Sequence, residues 1–369
     1  GYDSATHKLD VLLGDSVEGQ MLSDVPVGVF LSGGVDSATI AGLAQSRSAS
    51  QVKTFTIGFD EGLYNEAQHA KKVARYIGTD HTELYVTSKD ALEVIKKIPS
   101  IYTEPFADPS QIPMFLISEM AHNHVTVGLS GDAGDELFAG YTFRYKKFLS
   151  LTSDNSSPIE KVKAYLECHE RDRVPDQENI FNQKCEFSWN SIYNILLPFF
   201  DNNLSRLEQV YLADYNGKLL YNFNPINSRI TDHFKINQLA PLLNNELLTT
   251  ATHIPTKYKY DVDNDIGKLP LRTILEKNNV ASLITKEKLG FNVNTLNLWT
   301  SHGHDLCHEF LDKSRIVEDG WINKDWIQKY INKSDLDIKY INKFLGILAF
   351  EIWYRLFVTK EISSEATLD

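Results

Sequence analysis

The chain of 369 residues carries a formal net charge of −12, with 42 % hydrophobic and 23 % charged residues, a composition typical of globular proteins and a length suited to two domains. The acidic charge argues against nucleic-acid binding, which depends on Lys and Arg that neutralise phosphates, and no apolar run approaches the ~20 residues of a membrane helix. Three cysteines without metal or disulfide spacing, and no visible signal peptide, lead us to expect a cytoplasmic protein with no membrane or nucleic-acid partner.

The first 150 residues alternate between strand and helix patterns, judged by whether apolar residues recur every two or every three to four positions. The predicted segments are a helix over 10–22, a strand over 27–31, a helix over 36–45, a strand over 52–57, a helix over 66–77, a strand over 83–86, helices over 89–97 and 113–123, and a strand over 125–129. This alternation predicts an α/β fold with a parallel sheet flanked by helices. Ligands of such sheets bind at the carboxyl ends of the strands. The turns after Leu31, Ile57 and Leu129 are therefore the candidate positions for a site.

The pattern changes after residue 150. Residues 152–158 are polar and predict a linker, and helical spacing dominates beyond them. The helical patterns cover 159–170, 204–214, 271–277 and 343–357, and no strand alternation stands out among them. We therefore predict two domains, an α/β domain over 1–150 and a mostly helical domain over 151–369 that completes the acceptor site.

A Gly-rich turn follows the strand over 27–31. Its residues are Ser32, Gly33, Gly34, Val35, Asp36 and Ser37. A buried strand, two glycines and a helix start form a phosphate cradle, because backbone N–H groups can approach an anion there without Cβ clashes. No Gly-Lys-Ser/Thr follows, so the turn is not a Walker A loop. An acid such as Asp36 beside a polyphosphate predicts a bridging Mg²⁺, which takes hard oxygen ligands.

A second turn, over 130–141, follows the strand over 125–129 and contains Asp132, Asp135 and Glu136. Three carboxylates so close together repel one another unless a cation or a positively charged ligand lies among them. Placed opposite Asp36, one of them completes a Mg²⁺ site on ATP, and another faces an amine-bearing substrate. The alternative is an acidic first turn of a helix, since Asp is favoured there.

Several strings of the sequence together carry a resemblance to a known family. They cover residues 24–28, 32–37, 54–59, 104–110 and 131–141. The loop 32–37 resembles the pyrophosphate loop of the N-type ATP pyrophosphatases. Together the strings resemble the synthetase domain of the glutamine-dependent asparagine synthetases and their relatives, including the β-lactam synthetases. The resemblance implies the Rossmann-like fold of the ATP pyrophosphatases.

Two segments of the second half also resemble this family. Residues 267–272 resemble its Gly-Lys-x-x-Leu-Arg segment, and residues 286–291 resemble its Arg-Pro-Lys-x-Gly-Phe segment. The family's lysine in the latter contacts the ATP phosphates and the acyl-adenylate, and the resemblance transfers this role to Lys288.

The resemblance further implies a set of binding residues. The ATP-binding positions are Leu31, Ser32, Gly33, Gly34, Asp36, Ser37, Ile57 and Gly131. Asp36 and Asp135 would hold Mg²⁺, and Asp132 would guide the nitrogen nucleophile. ATP and Mg²⁺ are the expected cofactors, and a small carboxylate with ammonia or an amine are the expected substrates. We leave open a homodimer.

Two features depart from the family pattern. The family's glutaminase half has a Cys at its N-terminus, whereas this chain begins with Gly1 directly before the synthetase-like segment. We therefore expect a chain without a glutaminase domain, which uses ammonium or a separate glutaminase domain or subunit. In the family's Ser-Met-Ala-x-x-x-Glu-x-Arg-x-Pro-Phe-Leu-Asp segment, here 231–244, Asn237 replaces the Glu and Leu239 replaces the Arg. A carboxylate able to take a proton from the nucleophile is thereby lost at that position.

The predicted reaction is ATP-dependent amide formation, in which a carboxylate such as aspartate is adenylated, pyrophosphate leaves, and ammonia or an amine displaces AMP. One alternative is a related amide ligase or cyclase of secondary metabolism or surface-polysaccharide tailoring, which Asn237 favours. A tRNA-thiolating pyrophosphatase is disfavoured by the acidic charge. A third alternative is a scaffold that binds nucleotide without catalysis, against which the presence of Asp36, Asp135 and Lys288 argues.

Overall fold

The computed structural model describes residues 1–59, 66–169, 173–277, 280, 284 and 295–363. The chain divides into two compact units, taken over their described residues. The first comprises Gly1–Val86, Met114–Ser150 and Leu204–Phe291, and the second comprises Thr87–Pro113, Leu151–Asn203 and Asn292–Asp369. This division differs from the single boundary after residue 150 that the sequence predicts, because residues after 204 return to the first unit and add a strand to its sheet.

Five strands form the sheet of the first unit. They are β1 (Val27–Phe30), β2 (Lys53–Phe59), β3 (Asp80–Val86), β4 (Val127–Leu129) and β5 (Asn237–Leu239). Their order is β3-β2-β1-β4-β5, and every neighbouring pair is parallel. The predicted parallel sheet is therefore confirmed. Because all strands run the same way, their carboxyl ends meet at one edge of the sheet.

Helices make up most of the remaining described structure. Those of the first half are α1 (Tyr2–Met21), α2 (Val35–Ser46), α3 (Glu66–Ile77), α4 (Ser88–Lys97), α5 (Gln111–Ala121), α6 (Gly134–Phe138), α7 (Thr142–Leu151) and α8 (Pro158–Glu167). Those of the second half are α9 (Trp189–Phe200), α10 (Arg206–Ala213), α11 (Asn224–His233), α12 (Asn245–His253), α13 (Leu269–Lys277), α14 (Thr295–Leu298), α15 (His304–Leu311), α16 (Arg315–Glu318), α17 (Lys324–Tyr330) and α18 (Ile338–Phe357). Two π-helical segments, Asp214–Phe223 and Trp299–Gly303, continue α10 and α14.

The core of the first unit follows the periodicity read from the sequence. Leu9, Leu13 and Val17 of α1 are fully buried and lie four residues apart, as one face of a helix requires. They join an apolar cluster with Val29 of β1 and Leu129 of β4. Burial of these side chains fixes the sheet and, with it, the positions of the turns at its carboxyl edge.

The second unit has its own apolar cluster, centred on α18. Ile341, Phe344, Leu348 and Ile352 are fully buried on one face of that helix. Among the described residues, no helix is long and apolar enough to cross a membrane.

One strand, β5, is not predicted by the sequence patterns. β5 has only three residues, two of them polar, so no alternation of apolar residues marks it. It forms because β4 offers an unpaired edge, on which Val127 pairs with Asn237 and Leu129 pairs with Leu239. The second half of the chain is mostly helical, as predicted, but it also completes the parallel sheet.

Candidate active site

The Gly-rich turn lies between β1 and α2, as the sequence predicts. Gly33 has φ +79°, and a Cβ there would lie 2.7 Å from the backbone nitrogen of Ala70, so no larger residue fits. Ser37 Oγ accepts a hydrogen bond from Ser32 N at 3.1 Å, and the two hydroxyl oxygens are 3.0 Å apart. α2 begins without a side-chain cap from any described residue. Its first N–H groups are therefore oriented for an anion.

The second turn packs directly on the first. A Cβ on Gly131 would lie 2.8 Å from Ser37 N, and a Cβ on Gly134 would lie 2.2 Å from Asp36 Cγ. Only a glycine allows the two turns to approach this closely. The packing brings Asp36, on the first turn of α2, beside Asp135, on the first turn of α6.

Lys268 joins the two carboxylates. Its Nζ lies 2.5 Å from Asp36 Oδ2 and 2.7 Å from Asp135 Oδ1. The lysine is 8 % exposed. Burial alone lowers its pKa, but Asp135 and Asp36 raise the pKa by more, so it stays above its ordinary value and the ammonium stays charged.

The backbone around this cluster is held in the left-handed region. Ala133, Ala139 and Lys268 have φ values of 73°, 61° and 60°, a conformation that costs residues with a Cβ about 1 kcal/mol or more each. Lys268 N donates to Phe138 O at 2.8 Å, which ties the lysine to the end of α6. Such strain concentrates at functional sites, where the surrounding structure imposes it.

A second cation lies close to the cluster. Arg272 of α13 donates from Nε to Gly267 O at 2.9 Å, which fixes the backbone that carries Lys268. Burial lowers the pKa of Arg272, and the carboxylate of Asp36 opposes that shift. Two cations and two carboxylates therefore surround the start of α2, an arrangement suited to a polyphosphate with a metal ion.

The donor set fits Mg²⁺. Asp36 and Asp135 come from different turns and already hold one cation, the ammonium of Lys268, between them. Mg²⁺ prefers carboxylate oxygens and is usually bound through one or two carboxylates, with water and substrate phosphates completing its shell. Within the described ranges, no group of three or more His, Cys, Asp and Glu forms a protein-only metal site. Two carboxylates beside a phosphate cradle match that mode of binding.

Asp132 lies three residues before Asp135 and has different partners. Its Oδ2 accepts hydrogen bonds from Asn227 Nδ2 at 2.8 Å and from Gln238 Nε2 at 2.6 Å. Burial raises the pKa of Asp132, and hydrogen bonds with Asn227, Ser130 and Gln238 lower it, with a net shift upward. A carboxyl whose pKa is raised is better suited to accept a proton during a reaction than an ordinary Asp.

The segment 231–244, which departs from the family pattern, contacts Asp132 through Gln238 and not through Asn237. Neighbouring residues of a strand point to opposite faces. Asn237 is exposed at the amino end of β5, whereas Gln238 contacts Asp132. The residue that replaces the family's Glu is therefore not the one that reaches the acidic turn.

The other residues predicted to bind ATP take varied positions. Leu31 is buried directly after β1 and donates from its backbone nitrogen to Phe55 O at 2.8 Å. Ile57 is buried within β2, which continues to Phe59 rather than ending at Ile57. Gly131 packs on the first turn, as described above. The adenine and ribose contacts of Leu31, Ile57 and Gly131 stay predictions.

The sequence assigns a role to one lysine, Lys288, whereas the structure brings a different lysine, Lys268, into the candidate site. Lys288 lies outside the described residues, so its role stays a prediction. Lys268 matches the second position of the Gly-Lys-x-x-Leu-Arg segment, but nothing in the sequence alone assigns it a partner. Its contacts with Asp36 and Asp135 make it the functional candidate that sequence analysis missed.

Comparison with known proteins gives a consistent family. The model of the family described as asparagine synthase matches residues 8–355. Asparagine synthetase (glutamine-hydrolyzing) 1 of Bacillus subtilis (strain 168) is 27 % identical over 380 residues, which cover 95 % of this chain and 59 % of that protein. The putative asparagine synthetase (glutamine-hydrolyzing) 2 of Methanocaldococcus jannaschii is 50 % identical over 131 residues, 35 % of this chain and 25 % of that protein.

Among solved structures, an NMN synthetase from Francisella tularensis aligns over 65 % of this chain and 98 % of its own, with 16 % identity and a TM-score of 0.29. That similarity is too low to bear on the fold. The chain spans 59 % of the length of the Bacillus subtilis relative. Because the family model covers most of the sequence, the chain belongs to the asparagine synthase family.

Proposed function

We propose that this chain activates a substrate carboxylate with ATP, releases pyrophosphate, and joins the activated acyl group to ammonia or an amine. The observation that carries the proposal is the convergence of Asp36 and Asp135 on one cation beside the turn 32–37. Cleavage between the α- and β-phosphates requires an anion cradle and a cation clamp at the same place. Membership of the asparagine synthase family supports the same reaction.

In the first step, the backbone N–H groups at the start of α2 bind the pyrophosphate portion of ATP. An oxygen of the substrate carboxylate attacks the α-phosphorus, and the bond to the bridging oxygen of pyrophosphate breaks. When bound by Asp36 and Asp135, Mg²⁺ would offset the negative charge that develops on the leaving group. Lys268, held between Asp36 and Asp135, would supply a fixed positive charge near the leaving group, at no cost of reorganisation as the reaction proceeds. Lys288 is proposed to contact the phosphates and the acyl-adenylate.

In the second step, the nitrogen nucleophile attacks the acyl carbon and AMP leaves with the electron pair of the broken C–O bond. The attacking nitrogen must lose a proton, and Asp132 is the proposed acceptor. Its raised pKa supports that role, since a carboxylate of ordinary pKa is a weak base at neutral pH.

The nitrogen source is proposed to be ammonia, delivered as free ammonium or by a glutaminase domain or subunit. The curated relatives are named glutamine-hydrolyzing, and the chain spans 59 % of the Bacillus subtilis protein's length. Incubation of the chain with ¹⁵N-ammonium and with amide-¹⁵N-glutamine tests this. Incorporation from ammonium alone supports the proposal, and glutamate release by the chain without a partner contradicts it.

The reaction type is tested by ³¹P NMR of ATP incubated with the chain, Mg²⁺, L-aspartate and ammonium. The proposal expects AMP and pyrophosphate, and the same mixture with Asp36→Asn serves as the matched control. ADP and phosphate as products would overturn the proposal. ATP/pyrophosphate exchange without ammonium, repeated with a panel of small carboxylates, identifies the substrate and separates adenylation from amide transfer.

A further inference from the structure

Among the described residues, only one end of the Gln238 side-chain amide has a hydrogen-bond partner. Its Nε2 donates to Asp132 Oδ2 at 2.6 Å. Its Oε1 is buried and accepts no hydrogen bond from any residue that the structure describes. The orientation of the amide is fixed, because only the nitrogen can donate to a carboxylate. Buried acceptors are almost always paired in folded proteins, so a donor from outside the described chain is expected at Oε1.

Several side chains hold the carboxyl of Asp132, which Gln238 contacts. The hydrogen bonds from Asn227 and Gln238 both end on Oδ2, and the side chain of Ser130 also interacts with this carboxyl. Asn227 comes from α11 and Gln238 from β5, and both elements pack in the first unit. The two amides therefore hold the carboxyl from two sides and fix its orientation. The unpaired acceptor Gln238 Oε1, on a side chain that contacts this carboxylate, matches a ligand that carries several N–H bonds.

We infer that Gln238 binds the nitrogen nucleophile through Oε1 while its Nε2 holds Asp132 in place. The inference rests on the proposed function and names a residue for its second step. The ligand class is ammonia or a primary amine. An N–H of the nucleophile donates to Gln238 Oε1, which directs the nitrogen lone pair away from the amide and towards the acyl carbon.

The nitrogen forms the new C–N bond with its lone pair, and the C–O bond to AMP breaks with its electrons going to the phosphate oxygen. One proton passes from nitrogen to Asp132, and the remaining N–H bonds stay with the amide. Gln238 neither gains nor loses a proton, so it acts by binding, and Asn227 acts only by positioning Asp132.

This difference between Gln238 and Asn227 gives a direct test. Gln238→Leu removes both the acceptor for the nucleophile and one donor to Asp132, whereas Asn227→Leu removes only a donor to Asp132. With L-aspartate as the carboxylate, the rate of AMP formation is measured against ammonium concentration, and ATP/pyrophosphate exchange is measured without ammonium. Asn237→Ala is the matched control, since it is the adjacent residue of β5 and its side chain is exposed.

For Gln238→Leu, the KM for ammonium is expected to rise about tenfold, the effect of losing roughly one hydrogen bond to a substrate. The rate of ATP/pyrophosphate exchange is expected to change by a smaller factor. Asn227→Leu is expected to lower kcat of amide formation with a smaller change in that KM. Equal effects of the two variants on KM and kcat would overturn the inference, because Gln238 would then act on Asp132 alone. A parallel loss of exchange and transfer in Gln238→Leu would also overturn it.

A second measurement separates this inference from the proposed function. If wild type shows no exchange with any small carboxylate, the proposed function fails, and the crystal structure of the wild-type chain soaked with methylammonium still decides the inference. The expected result is a methylammonium nitrogen within hydrogen-bond distance of Gln238 Oε1 and Asp132. A water molecule on Oε1, with methylammonium absent or bound elsewhere, would overturn it.

Discussion

Lys268 Nζ lies 2.5 Å from Asp36 Oδ2, although 232 residues separate the two in the sequence. The same ammonium lies 2.7 Å from Asp135, so one lysine bridges a carboxylate from each of the two turns that form the candidate site. Without a metal ion, this lysine is the cation that allows the two carboxylates to lie close together. One ammonium and two carboxylates leave a net charge of −1, so the group can still accept a further cation.

Removal of that ammonium is expected to destabilise the protein. Lys268→Met keeps most of the side-chain volume but removes the ammonium that bridges two nearly buried carboxylates, which should lower the free energy of unfolding by about 3 kcal/mol. MgCl₂ should restore part of the loss, because Mg²⁺ can take the place of the ammonium. Urea unfolding with and without MgCl₂ measures both effects.

Lys277→Met is the control for that experiment. Lys277 also pairs with an aspartate, at 2.9 Å from Asp10 Oδ2, but its side chain is 48 % exposed. Its loss should change the free energy of unfolding by about 1 kcal/mol or less, with no response to MgCl₂. Equal effects of the two variants would show that the pairs of Lys268 contribute no more than a surface ion pair.

Asp36→Asn is expected to act on metal binding. It removes one of the two carboxylates that fit Mg²⁺ and should weaken the dependence of ATP/pyrophosphate exchange on Mg²⁺ by about 10- to 100-fold. The measurement is exchange rate against Mg²⁺ concentration, with circular dichroism to confirm that the fold survives. Near-normal exchange at low Mg²⁺ would remove Asp36 from the metal site.

A buried ion pair packs against Tyr141, at the end of the turn over 130–141. Arg144 donates to both oxygens of Asp214, at 3.0 and 3.1 Å, and its guanidinium lies 3.9 Å from the ring centroid of Tyr141. Asp214→Asn should cost about 3–5 kcal/mol, because the arginine is left buried without its carboxylate. Lys71→Met, which breaks an exposed pair with Glu83, should have a much smaller effect on the free energy of unfolding, because solvent screens that pair. Urea unfolding of both variants distinguishes a structural pair from an incidental one.

Lys259 gives the protein a predictable response to alkaline pH. The residue is 5 % exposed. Burial lowers its pKa to about 8 from an ordinary value of 10.5, against a weaker opposing effect of Glu208. Between these two pH values the unfolded chain binds more protons at this position than the folded chain. The contribution of Lys259 to the free energy of unfolding therefore rises with pH in that window, and is lost as pH falls through about 8.

Lys259→Met removes the free-energy cost of burying a charged ammonium, so it should raise the melting temperature at neutral pH. The gain should shrink as the pH is raised towards 10.5. Lys257→Met, at an exposed position two residues earlier, should show no such trend. Thermal unfolding of the three proteins over a series of pH values provides the test. A gain in stability for Lys259→Met that does not vary with pH would argue for an effect of packing instead of charge.

The placement of Asp36 and Asp135 at this edge of the sheet could be predicted from the sequence, because each lies in the first turn of a helix that follows a strand with a clear apolar pattern. Local spacing is enough to place such residues at the edge of a parallel sheet. Lys268 and Gln238 could not be assigned in this way. Their partners are distant in sequence, and neither belongs to an apolar pattern. β5, which carries Gln238, is short and polar and forms only because β4 has an edge to pair with.

The return of residues 204–291 to the first unit also has a consequence for synthesis on the ribosome. When the segment 1–150 has emerged, both acidic turns are present, but β4 has an open edge and the carboxylates of Asp36 and Asp135 have no ammonium between them. Completion of the site waits for β5 and then for Lys268. Until the intervening residues have been translated, the open edge of β4 can pair with another chain and the two carboxylates repel each other. Premature termination anywhere before Lys268 leaves a polypeptide that lacks the cation needed to close the site.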